Sequence, residues 1–270
     1  MRGISISNLA WSNDDDSEAL ALAATTGFTG IELMPAKAFG SWSVPEHTID
    51  AYRRKVADAG LEIAALQGIT FGIEGIHLFS SPEHRRRLAD QMKRVADIAA
   101  LLGAGACVFG APGLRDPGKM SEKEALDIAA STFSDIALIF DACGTVLCFE
   151  PIPKSYGCRF VNTTTEACDL VRLVDHSAFR TQIDTGTIFA NREPLASLVA
   201  AMPLAGHLHV SEPNLVPLGT LESDHGSLAT VLADQKWNGW RSVEMKPSED
   251  WRGSIGRAGK MMKAIYMADA

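Results

Sequence analysis

Four strand-like stretches in the second half of the chain end on groups that bind hard cations. "TVLCFE" ends on Glu150, "RTQID" on Asp184, "GHLHVS" carries His209 near its end, and "WRSVEM" carries Glu244. A lone acid after a strand is ordinarily a helix N-cap or a solvated turn residue. A lone histidine is ordinarily hydrogen-bonded in a core. Recurrence in consecutive strands changes the reading, because acids buried together without a cation are costly. Three carboxylates and one imidazole make an oxygen-rich site. It suits Mn²⁺, with Mg²⁺ and Co²⁺ as alternatives, better than structural zinc, which favours sulfur.

Such residues meet only if the strands that carry them are neighbours. Strand candidates recur along the chain at 3–7, 30–34, 61–67, 105–110, 145–150, 180–184, 206–211 and 240–245. They are short, apolar and often bounded by Gly or Pro, as buried parallel strands are. Helical patterns lie between them. Acids open the run 14–27 and Gly27 closes it; Pro82 sits in the first turn of 81–103; Ser121 and Glu124 have capping-box spacing at the start of 121–144; a last run covers 248–268. Thr185, Gly186 and Thr187 are expected to turn the chain after Asp184. The loop 67–81 is long for a connection after the third strand.

Eight strands alternating with helices over this length is the arithmetic of an α/β fold, a single (β/α)₈ TIM barrel spanning 1–270. A doubly wound open sheet is the rival, and it would be expected to carry a G-x-G-x-x-G turn that this chain lacks. In a barrel, chemistry sits at the C-terminal ends of the strands, where Glu150, Asp184, His209 and Glu244 all fall.

The formal net charge of −8 and pI of about 5.4 argue against nucleic acid as a partner. The five cysteines are an odd number without a C-x-x-C pair, which reads as buried thiols in a reducing compartment. The first residues, "MRGISISNLAWSNDDD", hold no apolar run of signal-peptide length, and no stretch reaches the roughly 18 apolar residues of a membrane span. A cytoplasmic, soluble protein is expected, with no membrane partner.

"FEP" at 149–151, "IDTG" at 183–186, "HLHVSEP" at 207–213, "VEM" at 243–245 and the early "GFTGIELMP" resemble the xylose-isomerase-like TIM barrels. Within them the chain is similar to the sugar phosphate isomerase/epimerase group and its ketose 3-epimerase branch. The resemblance implies that Glu150, Asp184, His209 and Glu244 bind one divalent ion. It also implies that Glu150 and Glu244 act as base and acid on a small carbohydrate, through an enediolate. Return of the proton on the other face gives an epimer, and return at the neighbouring carbon gives an aldose–ketose isomer. Loss of a β-hydroxyl would instead make the protein a dehydratase of a keto-cyclitol or dehydroshikimate-like substrate. The chain departs from the branch at Thr187, where a histidine is usual, and at Leu215, where an arginine is frequent. It departs again at "PIPKSYGCRF", where a polar run normally ends in a glutamate. These departures bear on the substrate rather than on the metal.

Other residues have two readings each. His207, two before His209, shares its side of the strand and lines the pocket or packs in the core. Lys246, two after Glu244, faces an anionic substrate group or is a solvated turn lysine. Glu212 is a partner for His209 or a loop cap. Gln67 and Glu32 end the third and second strands; Glu32 binds substrate or pairs with a loop amide. His225 is placed near a helix start. Trp11, Trp42 and Phe71 close over a sugar or simply pack. Two further functions share the fold. A DNA-repair endonuclease would assemble three zinc ions with more histidines than the seven here, and a non-catalytic relative would keep a metal for structure. Homo-oligomerisation through outer helices is compatible with the fold class.

Overall fold

The computed structural model describes residues 2–267. Its strands are β1 (Ile4–Ser7), β2 (Gly30–Leu33), β3 (Glu62–Leu66), β4 (Ala106–Phe109), β5 (Val146–Phe149), β6 (Phe179–Asp184), β7 (Ala205–Ser211) and β8 (Arg241–Glu244). All are parallel, each pairs with its successor, and β8 returns to β1, so the sheet closes as a barrel. The helices are α1 (Asp16–Thr26), α2 (Pro35–Phe39), α3 (Glu46–Asp58), α4 (Pro82–Leu102), α5 (Glu122–Ala142), α6 (Thr164–Val174), α7 (Thr185–Asn191), α8 (Leu195–Ala201), α9 (His225–Asp234) and α10 (Trp251–Met261). This is the (β/α)₈ barrel expected from the alternation. Strand limits move by at most one residue, so Glu150 lies just past β5 rather than within it. The expected last helix ends earlier, followed by a π-turn over Met262–Tyr266, and its final position, 268, lies outside the described residues.

Strand alternation sorts the side chains into two layers. Leu66, Cys107, Phe109, Leu147 and Phe149 join the main apolar core between sheet and helices. One step away on the same strands, Ala65, Ala106 and Cys148 form a separate small cluster. Gln67 and Glu150 follow Ala65 and Cys148 by two residues, so they share that inner face, one layer nearer the strand C-termini. Small side chains beneath leave room for larger polar ones above.

Phe133 of α5 pins the outer side of β5. Its ring centroid lies 5.1 Å from Phe179, 5.2 Å from Phe149 and 5.4 Å from Phe109. Edge-on and offset aromatic pairs of this kind add to simple burial, and they fix the strand that delivers Glu150. The capping box opens α5 as the sequence indicates: Ser121 N–H donates to Glu124 Oε2 at 2.9 Å, and Glu124 N–H donates to Ser121 Oγ at 3.3 Å.

The expected turn at Thr185–Thr187 is instead the first turn of α7. The physical reason is Asp184. It has extended backbone and its carboxylate accepts the N–H groups of Gly186 and Thr187, which starts a helix directly from the strand end. Among the described residues no helix is long and apolar enough to cross a membrane.

Candidate metal centre

His209 is the centre of the site. Its Nδ1 lies 3.3 Å from Glu150 Oε1 and 3.3 Å from Glu244 Oε2. One donor atom from each of these three residues falls within 4.8 Å of the others. The strand order explains the convergence. β7 carries His209, β8 beside it carries Glu244, and Glu150 leaves β5 two strands away on the other side. Gly110 makes room for the glutamate, since a Cβ there would sit 2.5 Å from Glu150 Oε2.

Asp184 is opposite His209 in the β6–β7 register. Its oxygens are occupied locally. Oδ1 accepts from Gly186 N–H at 3.2 Å and from the Ser211 hydroxyl; Oδ2 accepts from Thr187 N–H at 3.0 Å and from the Thr187 hydroxyl at 2.6 Å. Gly186 is required here, because a Cβ would come within 2.7 Å of Ser211 Oγ. The structure therefore gathers three of the four expected ligands by their donor atoms and holds the fourth as a helix cap beside them.

Beneath the triad lies a second set. Glu32 of β2 is fully buried, and its Oε1 and Oε2 lie 2.9 and 3.1 Å from His209 Nε2. His207 Nε2 reaches the same carboxylate at 3.1 Å. His207 thus faces Glu32 rather than open space. Glu32 pairs with two histidines rather than with a loop amide. A charge between two apolar neighbours in a strand buried on both faces needs a buried partner, and that signal was available.

The remaining expected residues are spread more widely. Gln67 donates to Ser7 Oγ and lines a cavity of about 200 Å³ with Ile69, Gly110, Pro112, Glu150 and Ile152. Glu212 does not reach His209. It accepts the Gly219 N–H at 3.2 Å and the Ser223 hydroxyl, and it lies 3.5 Å from His225 Nε2. Trp11 is buried, with its indole N–H donating to Asp16 Oδ1 at 3.0 Å. Lys246 is exposed, and its backbone N–H donates to Leu215 O at 2.8 Å. A larger hollow of about 830 Å³, lined in part by Trp42, Phe71 and Ile73, lies outside the barrel and contains none of the gathered acids.

Arg115 is a further component that the sequence did not announce. It is fully buried, donates from Nη1 to the Glu150 carbonyl at 2.7 Å and from Nε to Cys158 Sγ at 3.2 Å, and stacks 4.7 Å from the Phe149 ring centroid. It lies in an irregular loop without periodicity, so pattern reading passes over it.

The electrostatics are those of an anionic cluster. Burial pushes the Glu150 carboxyl up to about 7, with Glu244 and Asp184 adding to the rise and His209 opposing it. Burial also acts to raise Glu32, yet His209 and His207 outweigh it and hold that carboxyl well below the usual range. Burial opposes protonation of His209, but Glu32, Glu244 and Glu150 raise it above the ordinary imidazole value. Four carboxylates, those of Glu32, Glu150, Asp184 and Glu244, meet two imidazoles. The guanidinium of Arg115 is spent on a carbonyl and a thiol, so the donor set fits a divalent ion.

The model of the Xylose isomerase-like TIM barrel family matches residues 20–265. D-psicose 3-epimerase of Ruminiclostridium cellulolyticum is 28% identical over 132 residues, 48% of this chain and 44% of that enzyme. The match spans less than half of the relative's length. Among solved structures, D-psicose 3-epimerase with D-tagatose from Clostridium cellulolyticum H10 superposes with a TM-score of 0.83 at 16% identity, over 98% of this chain and 99% of that one. The 3-keto-D-glucoside 4-epimerase of E. coli gives 0.78 at 20% identity, over 96% and 100%. At these identities the structural likeness is one of fold.

Proposed function

We propose that this chain, which belongs to the xylose isomerase-like TIM-barrel family, is a sugar epimerase or isomerase that depends on one divalent ion. Mn²⁺ is the first choice, with Mg²⁺ or Co²⁺ next. The observation that carries this reading is the approach of Glu150, His209 and Glu244 to within 4.8 Å at the barrel mouth. Oxygen-rich sets with one imidazole take these ions in preference to sulfur-seeking ones. The epimerase activities named for the relatives make a small carbohydrate the natural substrate class. They lend nothing to the dehydratase alternative.

A divalent ion bound there would polarise the substrate carbonyl. The remaining work falls to side chains. Glu150 and Glu244 flank His209 from β5 and β8, so a substrate resting over His209 meets a carboxylate on either side. One of them accepts the proton from the carbon next to the carbonyl, and the other returns a proton to the opposite face. Asp184 adds negative charge beside them while capping α7. Gln67, in the cavity with Glu150, offers an amide to a sugar hydroxyl.

The test is incubation with Mn²⁺ and a panel of free and phosphorylated ketoses in D₂O. Deuterium entering the carbon next to the carbonyl, without loss of water, is the expected result. Release of water with formation of an unsaturated product would contradict it.

A further inference from the structure

We infer that Glu32 is the positioning residue of the cation site: it holds the Nε2 edge of His209 and thereby turns Nδ1 toward Glu150 and Glu244. This inference rests on the metal-dependent reading above. Both oxygens of Glu32 lie within 3.1 Å of His209 Nε2, and Oε2 also meets His207 Nε2 at 3.1 Å. An ionised carboxylate only accepts hydrogen bonds. Two imidazoles that share it must therefore both present N–H at Nε2. On His209 a divalent ion would displace the second proton, and the neutral imidazole then keeps its one proton at Nε2 and is left with a lone pair at Nδ1. That lone pair points where Glu150 Oε1 and Glu244 Oε2 converge, each at 3.3 Å.

The anchor is itself fixed. Glu32 is on β2 and the histidines on β7, so the carboxylate bridges the barrel interior between non-adjacent strands. His207 contributes the second donor, which keeps Glu32 from rotating away from His209. All three residues are at most 2% exposed, so water does not compete for these bonds. The set is a scaffold for one ligand nitrogen, and residues of this outer kind orient the ligand and tune the ion.

Glu32→Gln tests it. The amide offers one acceptor and one donor to two N–H groups, so one histidine must surrender its Nε2 proton or lose its partner. Mn²⁺ affinity measured by titration calorimetry is expected to fall roughly 10–100-fold. A second measurement needs no variant. In the Zn²⁺-loaded wild-type protein, two-bond ¹H–¹⁵N correlations should place the His209 proton on Nε2 and the ion on Nδ1. Coordination through His209 Nε2, a proton on Nδ1, unchanged Mn²⁺ affinity in Glu32→Gln, or a second ion bound at Glu32 would each overturn the assignment while leaving the proposed function standing. A wild-type protein that binds no divalent ion at all would remove the proposed function itself, and this inference with it.

Discussion

The Thr187 hydroxyl donates to Asp184 Oδ2 at 2.6 Å, within a single turn of chain. This bond couples the end of β6 to the start of α7 and sets the Asp184 carboxylate beside the Glu150–His209–Glu244 cluster. Asp184→Asn keeps an acceptor for the cap but removes the charge. Its stability in urea is expected to stay within about 1 kcal/mol of wild type, while Mn²⁺ affinity falls. Asp184→Ala loses both, with an added destabilisation of about 0.5–2 kcal/mol from the missing cap. Equal Mn²⁺ affinity in all three proteins would show that Asp184 serves the helix alone.

The metal-free protein should weaken as pH rises. Glu150 is held at about 7 in the fold against an ordinary value of 4.5. Between those values the folded chain keeps a proton that the unfolded chain has lost, so stability falls with rising pH. His209, raised in the fold, acts in the same direction above its unfolded value. Glu32, lowered in the fold, contributes stability that is lost only in acid. The Tm of EDTA-treated protein is therefore expected to drop between about pH 5 and about pH 8, and the gain on adding Mn²⁺ to grow over that range, because binding releases protons. A Tm of the metal-free protein that rises across the window would contradict the charge arrangement.

Glu150→Gln separates chemistry from stability. Removing one of several clustered acids relieves repulsion, so the metal-free Tm should rise. Proton exchange into the substrate should fall by roughly 10²–10⁴-fold, the usual contribution of a positioned acid or base. Full exchange activity in this variant would exclude Glu150 from the reaction.

Gly110→Ala acts on the same carboxylate from behind. The new methyl would lie 2.5 Å from Glu150 Oε2, the movable end of a side chain. Thermal stability should therefore change little, while Mn²⁺ affinity and activity both drop. A loss of folding, with normal affinity in what remains, would show that the glycine serves the backbone instead.

Arg115→Met tests the hidden support of Glu150. The substitution keeps bulk against Phe149 but removes the donor to the Glu150 carbonyl. A destabilisation of about 1–3 kcal/mol is expected in urea unfolding, as for a buried acceptor left without its partner. Stability equal to wild type would mean that the guanidinium contributes no net bond.

The barrel and the inner triad were legible because their signals are periodic. Strand spacing gave the fold, and it also set Glu150, His209 and Glu244 at or near the C-terminal ends of β5, β7 and β8, where their donor atoms gather. Two residues past the strand ends lie elsewhere. Glu212 is three residues past His209, just beyond the end of β7 and with the opposite parity, and it meets His225 and the 219–223 loop. Lys246 has the parity of Glu244, but it lies two residues past the end of β8, where the chain has left the sheet and the side chain is exposed. Glu32 was ambiguous because a buried acid reveals its need for a partner but not the partner, which comes from a strand 175 residues away. Arg115 carries no period at all. Asp184 had both a strand-end and a capping signature, and the local hydrogen bonds to Gly186 and Thr187 show that the capping one is realised.

The most direct test is a crystal of the protein soaked in Mn²⁺, with anomalous scattering recorded at a wavelength that excites manganese. A single strong peak within bonding distance of Glu150, His209 Nδ1 and Glu244 is expected. No peak between these side chains, in protein whose strands superpose on the barrel described above, would contradict the metal centre and the chemistry built on it.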